Sequence, residues 1–329
     1  LKVGVDPSSF MGRLRSQSLN IAQRALGTAQ SVVGSAIGQG TNTRMGAYEN
    51  GTGSIMMGLA SQGVIGRKMD DHILQTLEKT GINNGTHYSG AEMTQFANSY
   101  VSSNRYGSVK DYNNQANSIS QMARFSEMSS DSANSLISTA GISGVTDMTN
   151  FTKVVSGSLQ NANMTGRSSE MANALSSILS NTANIGNMSQ RQASSWASLQ
   201  GMANSTHNSD MQGQQGANAI NAMTNGLTNT NSAWARQMFA QASGNTGRYS
   251  GREGAFNLSL DMEQARKDPT KLSPILKQLD RSSSGNTSLM AAQLQSLSGG
   301  ELSATQAKHL TEMYKNGDFT KEKLQKAMK

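Results

Sequence analysis

Apolar residues recur along most of this chain at intervals of three and four, which is the spacing of one face of an α-helix. The segment Ser89-Gly-Ala-Glu92 has the pattern of a capping box, in which two side chains satisfy the first free backbone N–H groups of a helix. It is followed at helical spacing by Met93, Phe96, Ala97, Tyr100 and Val101. Strict alternation, which would indicate strands, is scarce. The pattern predicts an all-α protein.

Similar stripes predict further helices, and we expect a dozen or more of them, each of roughly 10–20 residues. Turns rich in Gly, Ser and Asn would join them, as at 81–85, 141–144, 185–187 and 243–247. The best marked stripe near the start is Leu14, Ile21, Ala25, Ala29, Val32 and Ala36, after Asp6-Pro7. Two further stripes are Met171, Leu175, Ile178 and Leu179, and Phe256 and Leu260 after a predicted capping box from Ser250 to Glu253. The last is Ala307, Leu310, Met313 and Tyr314, which follows a predicted capping box from Ser303 to Gln306 and precedes a closing Gly317.

Composition supports helices with thin cores. Proline occurs only at Pro7, Pro269 and Pro274, and its absence from the long stretch between favours helix. Ser, Asn and Gly make up a third of the 329 residues, while aromatic residues make up 5%. Because narrow stripes bury little apolar surface, we expect several copies to assemble as an oligomeric helical bundle, a homo-oligomer and in particular a trimer.

Charge divides the chain into three predicted regions. Residues 1–128 form a Gly-rich helical region, and residues 251–329 form a charged helical module with 21 charged side chains. Residues 129–250 contain only nine charged side chains, so their helices turn Ser, Thr, Asn and Gln outward. Charge normally keeps helical proteins apart in solution. This middle region is therefore expected to face other protein or a confined lumen.

No catalytic or metal-binding constellation emerges, and we predict no catalytic, cofactor or metal site. The chain has no cysteine, and His72, His87, His207 and His309 are widely separated, without a pair at i, i+4. Asp70-Asp71-His72 could form part of a metal site, but its charge better suits the first turn of a following helix. Glycines at 63 and 66 followed by Arg67-Lys68 lack the spacing of a phosphate-binding loop.

Trp196 and Trp234 lie in helical context, where core or interface anchors are more common than ligand platforms. The 20 methionines fit either adaptable contacts with several neighbours or gap-filling in a thin core.

The net charge of +7 permits contact with phosphates, although a solvated face explains the N-terminal cluster of Lys2, Arg13, Arg15, Arg24 and Arg44 more simply. The nearest approaches to a membrane span, residues 27–43 and 50–66, are interrupted by polar residues. Starting at Leu1, the chain looks like a piece of something longer.

Residues 120–325 resemble the central-to-late region of bacteriophage tail tape measure proteins. One passage runs from Ala123-Arg124 to Asp131, Ala133 and Leu136, as a helix, a polar break and a helix. Others join Met164-Thr-Gly-Arg167 to Glu170, and Gly213, Gly216 and Ala217 to Ile220, Met223 and Leu227 before Trp234. The longest includes Gly247-Arg248, Gly251, Phe256 to Glu263, Asp268-Pro269, Leu272, Leu276, Leu279, Gly285-Asn286, Met290-Ala-Ala292, Leu294 and the closing Leu302-Ser-Ala-Thr-Gln-Ala307.

The resemblance implies a structural, non-enzymatic virion protein in the tail lumen. Such a protein sets tail length and leaves the tail to help the genome cross the host envelope. It implies contacts with the tail tube and with tail-tip or baseplate hub proteins, with the genome DNA end, and with the host membrane after ejection. It implies no cofactor.

The sequence leaves three alternatives open. The first is an inner-core ejection protein of a short-tailed phage. The second is a cell-wall hydrolase segment, for which Glu92, Glu127 and Glu170 are the candidate acids. The third is a nucleic-acid binder, whose affinity would fall steeply with salt.

Overall fold

A computed structural model describes residue 77 and residues 79–327 of the chain, with gaps at 102–108, 165, 185, 207, 245 and 251–252. Its regular elements are all helical in this part of the chain, which confirms the all-α prediction. The α-helices that follow a short helical segment at 79–83 are α1 Gly90–Val101, α2 Val109–Phe125, α3 Ser130–Ser143, α4 Met148–Asn161, α5 Ser168–Ala183, α6 Gln190–Asn204, α7 Gly213–Leu227, α8 Ala233–Ser243, α9 Gly254–Arg266, α10 Leu272–Ser282, α11 Thr287–Leu297, α12 Ala304–Lys315 and α13 Lys321–Lys326.

The first seven helices form two layers. In the odd layer α1, α3, α5 and α7 pack in that order, and in the even layer α2, α4 and α6 do the same. From α2 onwards these helices thus pack mainly against the helix two positions along the chain, which is the arrangement of a solenoid of helix pairs. The odd helices begin at Gly90, Ser130, Ser168 and Gly213, so the unit recurs about every 40 residues, a length typical of two-helix repeats.

The later helices close the end of this solenoid. Helix α7 contacts α8, α10, α11 and α12, while α13 and the 3-10 turn Pro269–Lys271 pack on α6. Helix α6 is consequently buried along almost its whole length. Buried apolar side chains from Leu77 to Leu324 form one contiguous cluster. The C-terminal helices therefore cover an end that a solenoid would otherwise expose.

Small residues make a continuous core out of narrow stripes. Helices α4 and α6 meet at Ser158 and Gly201, where a Cβ built on Gly201 would lie only 2.7 Å from Ser158 Cβ. Small side chains let the two backbones approach closely, so many dispersion contacts form without large side chains. The shortage of aromatic residues is offset in this way.

Trp196 of α6 is the largest side chain in the core and is 1% exposed. Its indole N–H donates to the Lys267 carbonyl at 3.1 Å and so ties α6 to the end of α9. Trp234 is half-buried and packs against the edge of the core. The prediction that Trp196 anchors the core is confirmed.

A buried amide pair sets the start of α7 against α6. Gln200 Nε2 donates to Asn204 Oδ1 at 3.1 Å and to the Gly213 carbonyl at 3.2 Å. Asn204 Oδ1 also accepts from the Gly213 N–H at 2.9 Å. Both side chains are fully buried, and their hydrogen bonds join α6 to the first residue of α7.

Several predicted helices are confirmed in detail. Ser89 N–H donates to Glu92 Oε2 at 2.9 Å, and the Glu92 N–H donates back to Ser89 Oγ at 3.3 Å, as a capping box requires. Ser303 and Gln306 form a second box at α12, and Gly317 follows its end with φ of 78°. The inward stripe of α5 is also buried, as predicted: Met171, Leu175, Ile178 and Leu179.

The predicted inward face of α9 is wrong. Phe256 is 71% exposed and Leu260 is 39% exposed, whereas Leu258, Met262 and Ala265 are buried. The predicted box from Ser250 to Glu253 does not form either, because α9 begins at Gly254 and Glu253 is therefore its N-cap residue rather than its third helical residue. Helix α9 carries two apolar stripes at helical spacing, and its packing neighbours decide which one is buried.

Two predicted turns are narrower than expected. Helix α3 continues through residues 141–143 and ends only at Gly144, where φ is 112° and the N–H reaches the carbonyls of Ala140 and Gly141. The segment 81–85 is helical as far as residue 83. The glycines at 81 and 141 are tolerated inside helices, while Gly144 and Gly85 supply the left-handed turn.

Some expectations lie outside the described residues. These are the helix expected after Asp6-Pro7 with its stripe to Ala36, the segments around Gly63 to Lys68 and Asp70 to His72, and the basic N-terminal side chains.

Candidate functional site

The outward side chains of α3, α5 and α7 form a continuous surface, here called the amide face. Its residues are exposed or half-buried, and they are almost all amides and hydroxyls: Asn134, Ser135, Ser138 and Thr139 of α3; Asn173, Ser176, Ser177, Ser180 and Asn181 of α5; and Gln214, Gln215, Asn218, Asn221 and Asn225 of α7. The sequence predicted an uncharged outward face, and the fold gathers it on neighbouring helices of one layer.

Hydrogen bonds across the amide face connect adjacent helices. Asn181 Nδ2 lies 3.1 Å from Asn221 Oδ1 and 3.3 Å from Asn225 Oδ1, and Asn221 Nδ2 donates to Ser177 Oγ at 3.4 Å. Ser99 Oγ on α1 donates to an amide oxygen of α3 at 2.8 Å. Each carboxamide has two N–H donors and an oxygen with two lone pairs, so these groups keep hydrogen-bonding capacity for a partner.

Charge appears on the amide face only where its helices begin, among the described residues. Arg167 and Glu170 pair at 2.6 Å in the first turn of α5, and Arg167 also donates to Gln212 Oε1 at 2.8 Å. The hydrogen bond from Arg167 holds the pKa of Glu170 below its usual value. Both side chains are about half exposed, so this pair adds little stability.

A polar cleft of about 570 Å³ lies where the ends of α5 and α7 meet α9. Asn184 and Asn225 line one side, the segment from Thr228 to Asn231 closes a second, and Glu263 and Arg266 come from α9. No aliphatic or aromatic side chain is among these lining residues. The cleft combines amides, hydroxyls, one carboxylate and one guanidinium.

Arg266 is the only cation in the lining of this cleft, and its charge is weakly compensated. Its terminal NH2 group donates to Asn181 Oδ1 at 2.9 Å, while its Nε is buried without a hydrogen-bond partner. Among the described residues no carboxylate lies within ion-pair distance of it. Partial burial lowers the pKa of Arg266, and the charge of Glu263 offsets only part of that effect.

The three glutamates considered for hydrolysis have separate local roles. Glu92 caps α1 and Glu170 pairs with Arg167. Glu127 is exposed in the turn between α2 and α3, where φ is 53°, and it lines a second cleft of about 650 Å³ with Tyr88 and Arg124. In that cleft burial is the main cause that raises the pKa of Tyr88.

The histidines are not brought together in the part of the chain that the structure describes. His87 is exposed in a turn, and His309 is half-buried between Asn208 at 2.6 Å and Glu312 at 3.1 Å. His72 and His207 lie outside the described residues. No group of three or more metal-ligating side chains occurs within the described ranges.

Comparisons with protein-family models, with curated proteins and with solved structures found no match to this chain.

Within the described ranges, helices that are both long enough and apolar enough to cross a membrane do not occur.

No pattern in the sequence predicts the Arg266 cleft. Its lining comes from three helices and a loop, and each residue taken alone looks like an ordinary surface residue. The one signal in the sequence is the run of polar residues from Thr228 to Asn231 at the end of a helix.

Proposed function

We propose that this chain is a structural, non-enzymatic protein of a phage tail, held in the tail lumen, where it sets tail length. It leaves the tail with the genome and assists its passage across the host envelope. Two features support the proposal: the resemblance of residues 120–325 to tail tape measure proteins, and the amide face. The amide face is the structural observation that carries it.

A chain enclosed by other protein needs a surface that tolerates close contact. Nine charged side chains in residues 129–250 leave the solenoid with little electrostatic repulsion against a neighbour. The amide face is also polar, and non-permanent interfaces are typically more polar than permanent ones. A contact of this kind holds a protein in place and still permits its release, which ejection requires.

The partners proposed on this basis are further copies of the chain, as a trimer, the inner wall of the tail tube, and proteins of the tail tip or baseplate hub. During ejection they also include the genome DNA end and the host membrane. The low surface charge favours protein as the neighbour of residues 129–250. We assign contact with DNA to more basic parts of the chain, because phosphate binding depends on Lys and Arg.

Quantitative mass spectrometry of purified particles, before and after triggered DNA release, tests this role. We expect a few copies of the chain per particle before release and their loss afterwards, because a lumenal protein leaves ahead of the genome. Peptides from a tail-tube protein measured in the same samples give the control, since their amount should not change. Absence from particles, or retention at high copy number, contradicts the proposal. Loss from particles that have no long tail would instead indicate an inner-core ejection protein.

A further inference from the structure

The Arg266 cleft has the size of a small binding site. Its volume of about 570 Å³ lies within the usual range for ligand pockets. The groups that line it come from different elements: Asn184 from the end of α5, Asn225 from α7, residues 228–231 from a loop, and Arg266 from α9. Packing of the later helices on the solenoid therefore creates the cleft.

An anion would improve the environment of Arg266. A guanidinium has five N–H donors, and in this structure the hydrogen bond to Asn181 Oδ1 uses one of them. Its Nε is buried and has no partner. Surroundings that desolvate a cation without pairing it favour the entry of a group with negative charge.

The charge of the cleft favours a carboxylate over a phosphate. Glu263 lies on the same helix, one turn before Arg266, and lines the same cleft. Glu263 repels any anion that enters the cleft, and it repels the double charge of a phosphate more strongly than the single charge of a carboxylate. A carboxylate carries a single charge and matches the planar guanidinium.

The remaining lining residues fit the main chain of a peptide. Side-chain amides offer both donors and acceptors, which complement the N–H and C=O groups of an extended backbone. Two of these amides are already partly used: Asn225 Oδ1 accepts from Asn181, and Asn229 Oδ1 accepts from the Asn231 N–H at 2.9 Å. Their Nδ2 groups make no hydrogen bond among the described residues. The lining offers no aromatic ring on which a sugar could stack.

We infer that this cleft binds a short acidic peptide segment, with Arg266 holding a Glu or Asp carboxylate and the asparagine amides holding the adjoining main chain. This site goes beyond the proposed tail function and does not depend on it, because the cleft would serve an acidic segment of any partner protein.

Saturation-transfer difference NMR with the full chain tests the site, since that method detects weak binding. The probes are acetyl-Gly-Glu-Gly-amide, its matched Gln peptide and acetate. We expect a signal for the Glu peptide at least about threefold above that for the Gln peptide, a difference that a charge-assisted hydrogen bond readily gives. Equal signals, no signal for the Glu peptide at millimolar concentration, or displacement of the peptide by an equal concentration of acetate would overturn the inference.

Variants assign the signal to Arg266. Arg266→Gln should abolish it, and Arg266→Lys should retain part of it, because lysine keeps the charge without the planar fork. Glu263→Gln should strengthen it by removing the competing carboxylate. Lys271→Gln removes an exposed positive charge that lies five residues after Arg266 and outside the cleft lining, and it should change nothing. A signal that survives Arg266→Gln, or falls as much in Lys271→Gln, contradicts the site. If Arg266→Gln loses its helical circular dichroism, that variant is not folded and the test rests on Glu263→Gln. An NMR signal that is unchanged in Glu263→Gln then contradicts the site.

Discussion

Trp196→Ala is expected to lower the free energy of unfolding by about 4 kcal/mol, within the range seen when a buried Trp is truncated. The side chain is 1% exposed on a helix that is itself buried, so its removal leaves a cavity that neighbours cannot fill easily. The variant also leaves the Lys267 carbonyl without the indole donor. Both effects act where the solenoid meets the later helices. We therefore expect the loss of stability to affect the solenoid and the later helices alike.

The measurement is urea denaturation followed by far-ultraviolet circular dichroism, with hydrogen exchange of α6 as a local probe. Trp234→Ala is the matched control, because that side chain is only half-buried and should cost no more than about 2 kcal/mol. Trp196→Phe keeps an aromatic ring but loses the hydrogen bond, and should fall between the two. If Trp196→Ala costs no more than Trp234→Ala, the packing of Trp196 between the solenoid and the later helices is contradicted.

A single methyl group added at Gly226 should destabilise the protein by about 1–3 kcal/mol, the usual cost of overpacking. Gly226 lies in α7 where that helix meets the end of α11. A Cβ at this position would lie 2.7 Å from the Leu297 carbonyl oxygen and 2.9 Å from Ser298 Cα. Because these are backbone atoms, they cannot move aside as a flexible side chain would. Gly226→Ala therefore forces α11 away from α7.

Gly157→Ala makes the same chemical change with the opposite expected sign. Gly157 lies in the interior of α4, and a Cβ built there would have no atom within 4 Å apart from its own stretch of helix backbone. Alanine in such a helix should stabilise by about 0.5–1 kcal/mol, because it restricts the unfolded chain. Thermal and urea unfolding of the two variants give the comparison. Equal stability changes in both would contradict the close packing of α7 on α11.

Local signals in the sequence predicted much of the secondary structure. Capping boxes at Ser89 and Ser303 and the stripes that follow them correspond to α1 and α12. These signals succeed because a capping side chain and a 3.6-residue apolar period act within a few residues of each other. Their outcome does not depend on distant parts of the chain.

Local signals could not predict which face of α9 is buried. Phe256 and Leu260 are larger and more apolar than most of their neighbours, yet Leu258, Met262 and Ala265 face the core. Both sets have helical spacing, so period alone does not choose between them. The choice depends on tertiary neighbours such as the chain before α9, where Gly254 packs against Tyr249.

Local sequence patterns do not predict the solenoid or the Arg266 cleft, for a different reason. Successive odd helices start at unequal intervals, so the sequence has no fixed period that would reveal the helix pairs. Polar turns of variable length obscure the period. The cleft depends on how α9 is placed against α5 and α7, which no local pattern specifies.

The solenoid form bears directly on the proposed length-setting role. A continuous α-helix advances 1.5 Å per residue, so about 40 residues span about 60 Å. In the solenoid the same residues advance by one helix-packing distance, about 10 Å. The contribution of one helix pair to tail length therefore distinguishes an extended chain from a folded one.

An in-frame deletion of residues 129–166, which removes α3 and α4, followed by electron microscopy of tails, tests the proposed length-setting role most directly. We predict a shorter tail, by about 60 Å if this segment is extended as helix during assembly and by about 10 Å if it stays folded. Replacing 129–166 with a second copy of 168–205, a segment of equal length, should restore the original length. Tails of unchanged length after the deletion would contradict the role.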